Sequence, residues 1–290
     1  MEHVLRVEGL RKRYGDFELD GISFSLAPGY IMGFIGANGA GKTTTIKLIM
    51  NLIEKDAGII EVLGMDHREQ ERAVKDRIGF VYDNAGYYEE LSMEQMKNII
   101  SRYYSRWDNA SYHRYLERLG LAGDKKISDL SKGMRMKYAL ALALSHHAEL
   151  LLMDEPTSGL DPVIRAELLG VLQEVIEEGN CSVFFSTHIT SDLDKVADYV
   201  VMVHEGSMVF NDAKDHLLES YRLIKGTQGH LHSLEGHRLI GADRQPHGFS
   251  ALVADGAAAA RAAGEGLVLE RPTLEDMMLY HVRDAAGRPV

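Results

Sequence analysis

The chain has 290 residues, of which 43 are acidic and 32 are basic, and its formal net charge is −11. This balance disfavours a general nucleic-acid or anionic-membrane binder, because both need clustered positive charge. A single cysteine, Cys181, excludes an internal disulfide framework and a cysteine-based metal cluster. The sequence has no apolar signal core and no apolar run of about 20 residues, so we expect a cytoplasmic protein with roughly two domains.

The first half of the chain predicts a β layer, a strand–loop–helix unit and a helical insertion. Apolar runs alternate with turn-forming glycines over residues 4–26, as in antiparallel strands. Residues 30–35 are apolar on both faces and predict a buried strand, which leads through a glycine-rich turn to a helix over 43–53. Residues 87–121 carry helix-spaced aromatic and aliphatic side chains, and we assign about 84–146 to a helical subdomain.

The next segment predicts a βαβ unit and a closing hairpin. Apolar strands over 150–154 and 182–187 flank a helix from about Pro162 to Glu178, which starts with proline in its first turn. Parallel strands joined in this way take a right-handed crossover. Residues 199–203 and 208–210, separated by a Glu-Gly turn, predict a β-hairpin.

Beyond about Leu218 the composition shifts toward Gly, His and Ala, which places a domain boundary between residues 1–218 and 219–290. The second part is predicted to be a small α+β extension of unknown role. It contains strands over 250–253 and 267–269 and a helix over 273–282. Four histidines stand among Gly, Ser and Gln, a context that indicates a solvated loop rather than a zinc site: His230, His232, His237 and His247.

Residues Gly36 to Thr43 read GANGAGKT and match the pattern G-x-x-x-x-G-K-[ST] between the predicted strand and helix. Glycines let successive backbone N–H groups point at phosphates, and the helix adds its positive dipole end. Lys42 supplies an ammonium for the β and γ phosphates, and Thr43 supplies a hydroxyl ligand for Mg²⁺. The segment predicts a site for a nucleoside triphosphate and Mg²⁺, formed by Asn38, Gly39, Ala40, Gly41, Lys42, Thr43 and Thr44.

The apolar strand over 150–154 ends in two adjacent carboxylates, Asp154 and Glu155. Ligands bind at the carboxyl ends of strands in open parallel sheets. We expect Asp154 to hold Mg²⁺ through its water shell and Glu155 to polarise the attacking water. A solvated strand end is the alternative, but the phosphate loop favours the catalytic interpretation. The chain has no N-K-x-D motif, which favours adenine over guanine nucleotides.

Four separated motifs occur in a fixed order: the phosphate loop, LSKGM at 130–134, LLLMDEPTSGLD at 150–161, and a strand ending in Thr187-His188. In this order and spacing, residues 1–220 resemble the nucleotide-binding subunit of an ABC transporter. The resemblance implies an α/β P-loop NTPase core with an antiparallel β subdomain, an α-helical subdomain and a small C-terminal α+β extension. It also implies ATP buried between two domains arranged head to tail.

The resemblance assigns roles to residues outside the phosphate loop. Ser131 and Gly133 would close over the γ phosphate held by the other subunit, and the nearby basic residues at this helix N-terminus suit an anion. Asp161 would cross to the partner, and His188 would contact the γ phosphate and orient Glu155. Tyr14 would stack on adenine, although a core role stays open.

Asp83 stands where the family usually has glutamine, and it could bind Mg²⁺ or its water. Aspartate is shorter and, when ionised, only accepts hydrogen bonds. Its charge near the γ phosphate predicts an active but slow ATPase.

The implied partners are a separate membrane subunit and a second nucleotide-binding subunit, in a homodimer or a heterodimer, with no nucleic acid. The membrane subunit would insert a short helix beside the aromatic segment after Asp83 and hold the chain at the inner face of the cell membrane. The layout of the C-terminal extension is similar to the exporter branch, including bacitracin-type and cell-envelope stress ATPases.

Two other classes of function stay open. A soluble ATPase acting on nucleic acid or ribosomes is disfavoured, because the chain has neither a second cassette nor a basic face. A regulatory module that holds ATP without turnover is disfavoured by the intact catalytic residues, although Asp83 favours it. The residues against it are Lys42, Asp154, Glu155 and His188.

Overall fold

The computed structural model describes residues 2–82, 86–179, 181–234, 239–254 and 266–285. In chain order the strands of these ranges are β1 (Leu5–Tyr14), β2 (Phe17–Leu26), β3 (Ile31–Ile35), β4 (Ala57–Val62), β5 (Met65–Asp66), β6 (Ile78–Tyr82), β7 (Leu150–Asp154), β8 (Ser182–Thr187), β9 (Tyr199–His204), β10 (Ser207–Ala213), β11 (Arg222–Gly226), β12 (Leu239–Gln245), β13 (Gly248–Val253) and β14 (Val268–Glu270). The helices are α1 (Lys42–Ile49), α2 (Glu71–Lys75), α3 (Met93–Ile100), α4 (Asn109–Arg118), α5 (Lys132–Leu144), α6 (Pro162–Glu177), α7 (Thr190–Val196), α8 (Lys214–Ser220), α9 (Gln228–Ser233) and α10 (Leu274–Ala285).

The central sheet has six strands in the order β10-β9-β3-β8-β7-β6. Its strands run parallel except β10, which pairs antiparallel with β9 in the predicted hairpin. Strands β3, β7 and β8 are buried along their whole length, as their continuous apolar runs predict for a sheet covered on both faces. The chain reverses direction through α6 between β7 and β8, so the predicted βαβ unit is confirmed.

A second sheet, in the order β2-β1-β4-β5, is antiparallel and forms the predicted β layer. The tight turn of its first hairpin brings Tyr14 opposite Phe17. One face of this sheet packs against the central sheet in a shared hydrophobic core, in which Phe24 stacks on Phe184 at 5.3 Å between ring centroids. This packing holds the turn between Tyr14 and Phe17, here called the aromatic turn, near the phosphate loop.

The insertion between β6 and β7 is helical in its described part, as predicted. Helix α3 begins with a capping box, in which Ser92 accepts from the Gln95 amide and the Gln95 side chain accepts from the Ser92 amide. Helix α5 has more buried residues than α3 or α4. Its Tyr138 hydroxyl donates to the Met93 carbonyl of α3 at 2.7 Å. The insertion therefore packs as a unit around α5.

The C-terminal region forms a third sheet, in the order β12-β13-β11-β14, which packs against α10. Strands β11 and β12 were not predicted, and the segment expected to be a solvated loop contains helix α9. Its Gly and His content suggests exposure, but Leu231 and Leu234 are buried beside Phe249. The expectation of a solvated loop was therefore wrong around α9, where two buried leucines pack this segment against the sheet. It holds at His247, which is exposed in the turn between β12 and β13, and His237 lies outside the described residues.

Candidate active site

The phosphate loop connects β3 to α1 and is confined between neighbouring strands. A Cβ atom at Gly36 would lie 2.4 Å from the Val203 carbonyl oxygen, and one at Gly41 would lie 2.9 Å from Leu19 Cδ1. Gly41 also takes φ +110° at the N-terminus of α1. Only glycine satisfies both the space and the backbone conformation at this position. The loop thus brings backbone amides and the start of α1 to one cleft.

The cleft has a volume of about 520 Å³. Phosphate-loop residues form one wall, and residues from the ends of β7 and β8 form the other. The lining residues are Phe17, Asn38, Gly39, Gly41, Lys42, Thr43, Thr44, Glu155, Ser158 and His188. Ala40 is 2% exposed and does not line the cleft. Its carbonyl accepts from the Gly206 amide at 3.1 Å, so the β9–β10 turn supports the loop from behind.

Lys42 and Thr43 connect the loop to the two predicted acids. Lys42 is buried, and its Nζ donates to the Gly36 carbonyl at 2.8 Å and lies 3.1 Å from Glu155 Oε1. The Thr43 hydroxyl donates to Asp154 Oδ2 at 2.8 Å. Both acids therefore face the phosphate loop, as their place at the end of β7 predicts.

Ser186 contacts both acids, although no sequence motif had pointed to it. Its Oγ donates to Asp154 Oδ1 at 2.6 Å, and it accepts from the Glu155 amide at 3.2 Å. Ser186 is fully buried and lies directly opposite Asp154 in the parallel register of β7 and β8. The signal was a hydroxyl residue in the apolar run VFFS, since a buried polar side chain needs a hydrogen-bond partner.

Glu155 has φ +50°, a left-handed conformation that costs a non-glycine residue about 1 to 3 kcal/mol. Its amide donates to the Ser186 carbonyl at 3.0 Å, which holds this turn in place. The turn directs the carboxylate between Lys42 and His188, whose Nδ1 lies 2.7 Å from Glu155 Oε2. A carboxylate, an ammonium and an imidazole thus meet in the lining of the cleft.

The three residues that the resemblance assigns to the nucleotide of the other subunit do not line this cleft: Ser131, Gly133 and Asp161. Ser131 caps α5 by accepting from the Met134 amide, and Asp161 caps α6 by accepting from the Val163 and Ile164 amides. A Cβ atom at Gly133 would lie 2.5 Å from Ile164 Cδ1, so close packing against α6 requires glycine there.

The basic residues near Ser131 have acidic partners within the chain. Arg135 donates to both carboxylate oxygens of Glu89 at 2.6 Å, and Lys137 lies 2.6 Å from Glu167. Both cations are therefore partly neutralised, and the expected excess of positive charge at this helix N-terminus is smaller than the sequence suggests.

Of the two aromatic residues at the first hairpin turn, Phe17 lines the cleft and Tyr14 does not. Tyr14 is 45% exposed, and the Lys12 ammonium lies 5.3 Å from its ring centroid. Phe17 Cζ would lie 3.0 Å from a Cβ atom at Gly41, so its ring borders the phosphate loop directly. Asp83 lies outside the described residues, and its role stays a prediction.

A parallel sheet, a glycine-rich loop that wraps a lysine, and two carboxylates at the end of a neighbouring strand define a P-loop nucleoside triphosphatase. A family model described as ABC transporter matches residues 19–158. The chain belongs to the ABC transporter family, as an ATP-binding subunit with the ATPase activity of that family. ATPase subunits of this family work with membrane subunits.

Several proteins are similar over most of the chain. The bacitracin transport ATP-binding protein of Bacillus licheniformis is 32% identical over 225 residues, which cover 77% of this chain and 74% of that protein. A daunorubicin resistance ATP-binding protein of Streptomyces coeruleorubidus is 36% identical over 220 residues, or 74% of this chain and 69% of that one. A solved ATP-binding subunit of an ABC transporter superposes with TM-score 0.68 at 27% identity and covers 74% of this chain and 92% of its own.

Proposed function

We propose that this chain hydrolyses MgATP between two nucleotide-binding subunits and thereby drives a separate membrane subunit, in the direction of export. The observation that carries the proposal is the convergence of Lys42, Glu155 and His188 beside the Thr43–Asp154 pair. These residues come from three separate elements, and they meet at one cleft lined by the phosphate loop.

The residues fit a magnesium ion. The Thr43 hydroxyl and the Asp154 carboxylate are hard oxygen donors 2.8 Å apart, and Mg²⁺ prefers few protein oxygens together with phosphate oxygens and water. Bound there, Mg²⁺ would neutralise charge on the β and γ phosphates. Ser186 keeps one oxygen of Asp154 occupied, so the carboxylate presents its other oxygen toward Thr43.

The chain's own groups divide the remaining work. Lys42 can exchange its carbonyl and Glu155 contacts for phosphate oxygens, which frees the Glu155 carboxylate to accept a hydrogen bond from the attacking water. His188 holds the other Glu155 oxygen and orients the carboxylate. The left-handed turn at Glu155 fixes this geometry before the nucleotide binds, which lowers the cost of organising the transition state.

Adenine recognition is assigned to the aromatic turn. Phe17 borders the loop, and Tyr14 stands opposite it across the hairpin. A ring that stacks on a nucleobase contributes about 1 to 3 kcal/mol per base. We therefore infer that the two rings share this role, with Phe17 on the side of the cleft.

Ser131, Gly133 and Asp161 do not line the cleft of their own chain, and in the two-subunit arrangement they serve the nucleotide of the other subunit. Ser131 is exposed at the N-terminus of the 13-residue helix α5, where its Oγ accepts from the Met134 amide. The positive dipole end of this helix favours an anion such as the γ phosphate of a second copy or a paralogue. Head-to-tail closure by a homodimer or a heterodimer uses these residues.

The partner surface for the membrane subunit is a groove of about 970 Å³ between α2 and the helical turn at Ser101–Tyr103. Tyr103 is 80% exposed at its rim, whereas Tyr104 packs inward against His146. An exposed aromatic ring beside mixed charge suits a docked helix. No helix within residues 2–82, 86–179, 181–234, 239–254 and 266–285 is long and apolar enough to span a bilayer. We infer that the chain works at the inner face of the cell membrane through that subunit.

Export is inferred from the relatives, whose names refer to bacitracin transport and daunorubicin resistance. Action on nucleic acid is disfavoured by the net charge of −11. A module that only holds ATP is disfavoured by the Glu155–His188 contact, which binding alone does not need.

The test is Glu155→Gln. Loss of a general base costs about 10²- to 10⁴-fold in rate, so we expect phosphate release to fall at least 100-fold while ATP accumulates in a dimer detectable by size exclusion. Glu149→Gln is the matched control, because Glu149 stands at the opposite end of β7 and pairs with Arg77 and Arg106. Equal activities of Glu155→Gln and wild type would refute the assignment.

Co-purification from membranes at native expression tests the partner. We expect a polytopic membrane protein. Recovery of ribosomes or DNA in its place would contradict the transport assignment.

A further inference from the structure

Helix α7 directly follows His188, the residue proposed to orient Glu155. It begins at Thr190, two residues after His188, and no side chain caps its N-terminus. The Ile189 amide donates to Thr187 Oγ1 at 2.9 Å, which ties the end of β8 to the first turn of the helix. A helix of seven residues is far too short to be stable alone, since isolated helices need about 12 to 15 residues. The position of α7 therefore depends on what packs against it.

One set of contacts joins α7 to the ATPase core. Leu193 fills the space above Gly33 of β3, where a Cβ atom would lie 2.3 Å from Leu193 Cδ1. Asp192 is fully buried, and its carboxylate lies 3.9 Å from Arg165 Nε of α6. Gln173, also in α6, donates to the Lys195 carbonyl at 3.3 Å. The phosphate-loop strand and α6 thus hold two sides of the helix.

The C-terminal region, which the ATPase chemistry leaves without a role, supplies a third support. Helix α10 packs against α7, and its Leu274 and Met277 are fully buried in one continuous core with Leu193 and Val196. A separate contact comes from α8, which precedes this region: Lys214 Nζ donates to the Asp194 carbonyl at 3.0 Å near the end of α7. The part of this region that the structure describes contributes no side chain to the lining of the nucleotide cleft.

We propose that the C-terminal module, defined as β11 to β14 with α9 and α10, is a positioning element for hydrolysis: by supporting α7 it sets the distance and angle at which His188 meets Glu155. The inference rests on the proposed role of His188. Because the module touches α7 and not the phosphate loop, it acts on the rate of the chemical step and leaves ATP affinity nearly unchanged. A module that only adds stability, or only docks a partner, has no such selectivity.

The test compares buried aliphatic residues of the same module in the full-length protein. Leu274→Ala and Met277→Ala loosen the support of α7. Ile224→Ala is the matched control, because Ile224 is equally buried but belongs to a separate small core with Leu231 and Phe249. Steady-state ATP hydrolysis gives kcat and KM, and hydrogen–deuterium exchange of peptides covering 187–197 reports the order of α7 directly.

We expect each α10 variant to lower kcat at least threefold, to leave KM for ATP within twofold of wild type, and to speed exchange over 187–197. Ile224→Ala should change none of the three. An equal fall in kcat for Ile224→Ala would reduce the module to a general stabiliser. Unchanged exchange and unchanged kcat in both α10 variants would overturn the proposal.

Two further variants keep the test decisive. If the α10 alanine variants do not fold, Met277→Leu perturbs the same support mildly, and faster exchange over 187–197 is again expected. His188→Ala separates the two levels of inference. Full activity of His188→Ala would refute the proposed function. Loss of its activity, combined with no effect of any support variant, would refute only the role of the module.

Discussion

Ser186→Ala tests whether the two acids depend on one buried hydroxyl. The change removes the 2.6 Å hydrogen bond to Asp154 and the 3.2 Å contact with the Glu155 amide, which keeps its bond to the Ser186 carbonyl. A hydrogen bond to a charged group contributes about 1.5 to 3 kcal/mol. If this term is fully expressed in the transition state, kcat/KM for ATP falls about 10- to 150-fold, since 1.36 kcal/mol is a factor of ten.

Ser182→Ala is the control from the same strand. Ser182 is equally buried, and its Oγ accepts from the Gly29 amide at 2.8 Å at the opposite end of β8. Its removal leaves a backbone N–H unsatisfied and costs about 1 to 3 kcal/mol of stability, comparable to the cost at Ser186. Urea unfolding measures both stability losses, and phosphate release measures both activities. Equal activities at equal stability would show that Ser186 only supports the fold.

Three further predictions concern the space around Gly206, the pH dependence of stability and the binding of the adenine base. Gly206→Ala should lower the free energy of unfolding by more than about 3 kcal/mol, because its Cβ would lie 1.8 Å from a carbonyl oxygen of β2 at φ +78°. Gly179→Ala is the control, since Gly179 has φ +77° in open space, and it should cost about 1 to 2 kcal/mol. Equal unfolding midpoints for the two variants would contradict this. Burial lowers the pKa of His146 to about 4, so the contribution of the neutral His146 to stability is complete above pH 6.5. The free energy of unfolding then falls by about 3 kcal/mol as the pH drops from 6.5 to 4. His146→Phe should flatten this dependence in urea titrations, and an unchanged slope would contradict the prediction. Phe17→Ala should weaken ATP binding by about 1 to 3 kcal/mol and Tyr14→Ala by less, measured by calorimetry, and the reverse order would contradict the assignment of the cleft-side ring.

The sequence predicted the core of the fold because its strands carry strong patterns. Continuous apolar runs identified β3, β7 and β8, and the proline at the start of α6 marked its first turn. Strands β11 and β12 escaped prediction because each is half-exposed and rich in charge, with RLIKG and LIGADRQ as their sequences. Their strand character comes from pairing with β13, which no local pattern records.

The candidate active site was likewise predicted only in part from the sequence. The loop motif and the paired acids were visible in the sequence, and the structure brings Lys42 to Glu155 at 3.1 Å. Ser186 and Phe17 were missed because their importance depends on which strand lies opposite which. Register places Ser186 beside Asp154, and packing of the β layer places Phe17 against Gly41. Long-range pairing of this kind has no signature within a single segment.

One mechanical link follows from these contacts. Ile164 of α6 occupies the space that Gly133 leaves at the start of α5, so the Ser131 segment and α6 pack as one body. Helix α6 in turn reaches α7 where Nε of the partly buried Arg165 lies 3.9 Å from the fully buried Asp192 carboxylate, without a hydrogen bond. Ser131 and His188 of one chain are thus linked by a continuous series of contacts that runs from the start of α5 through α6 to α7 and the end of β8.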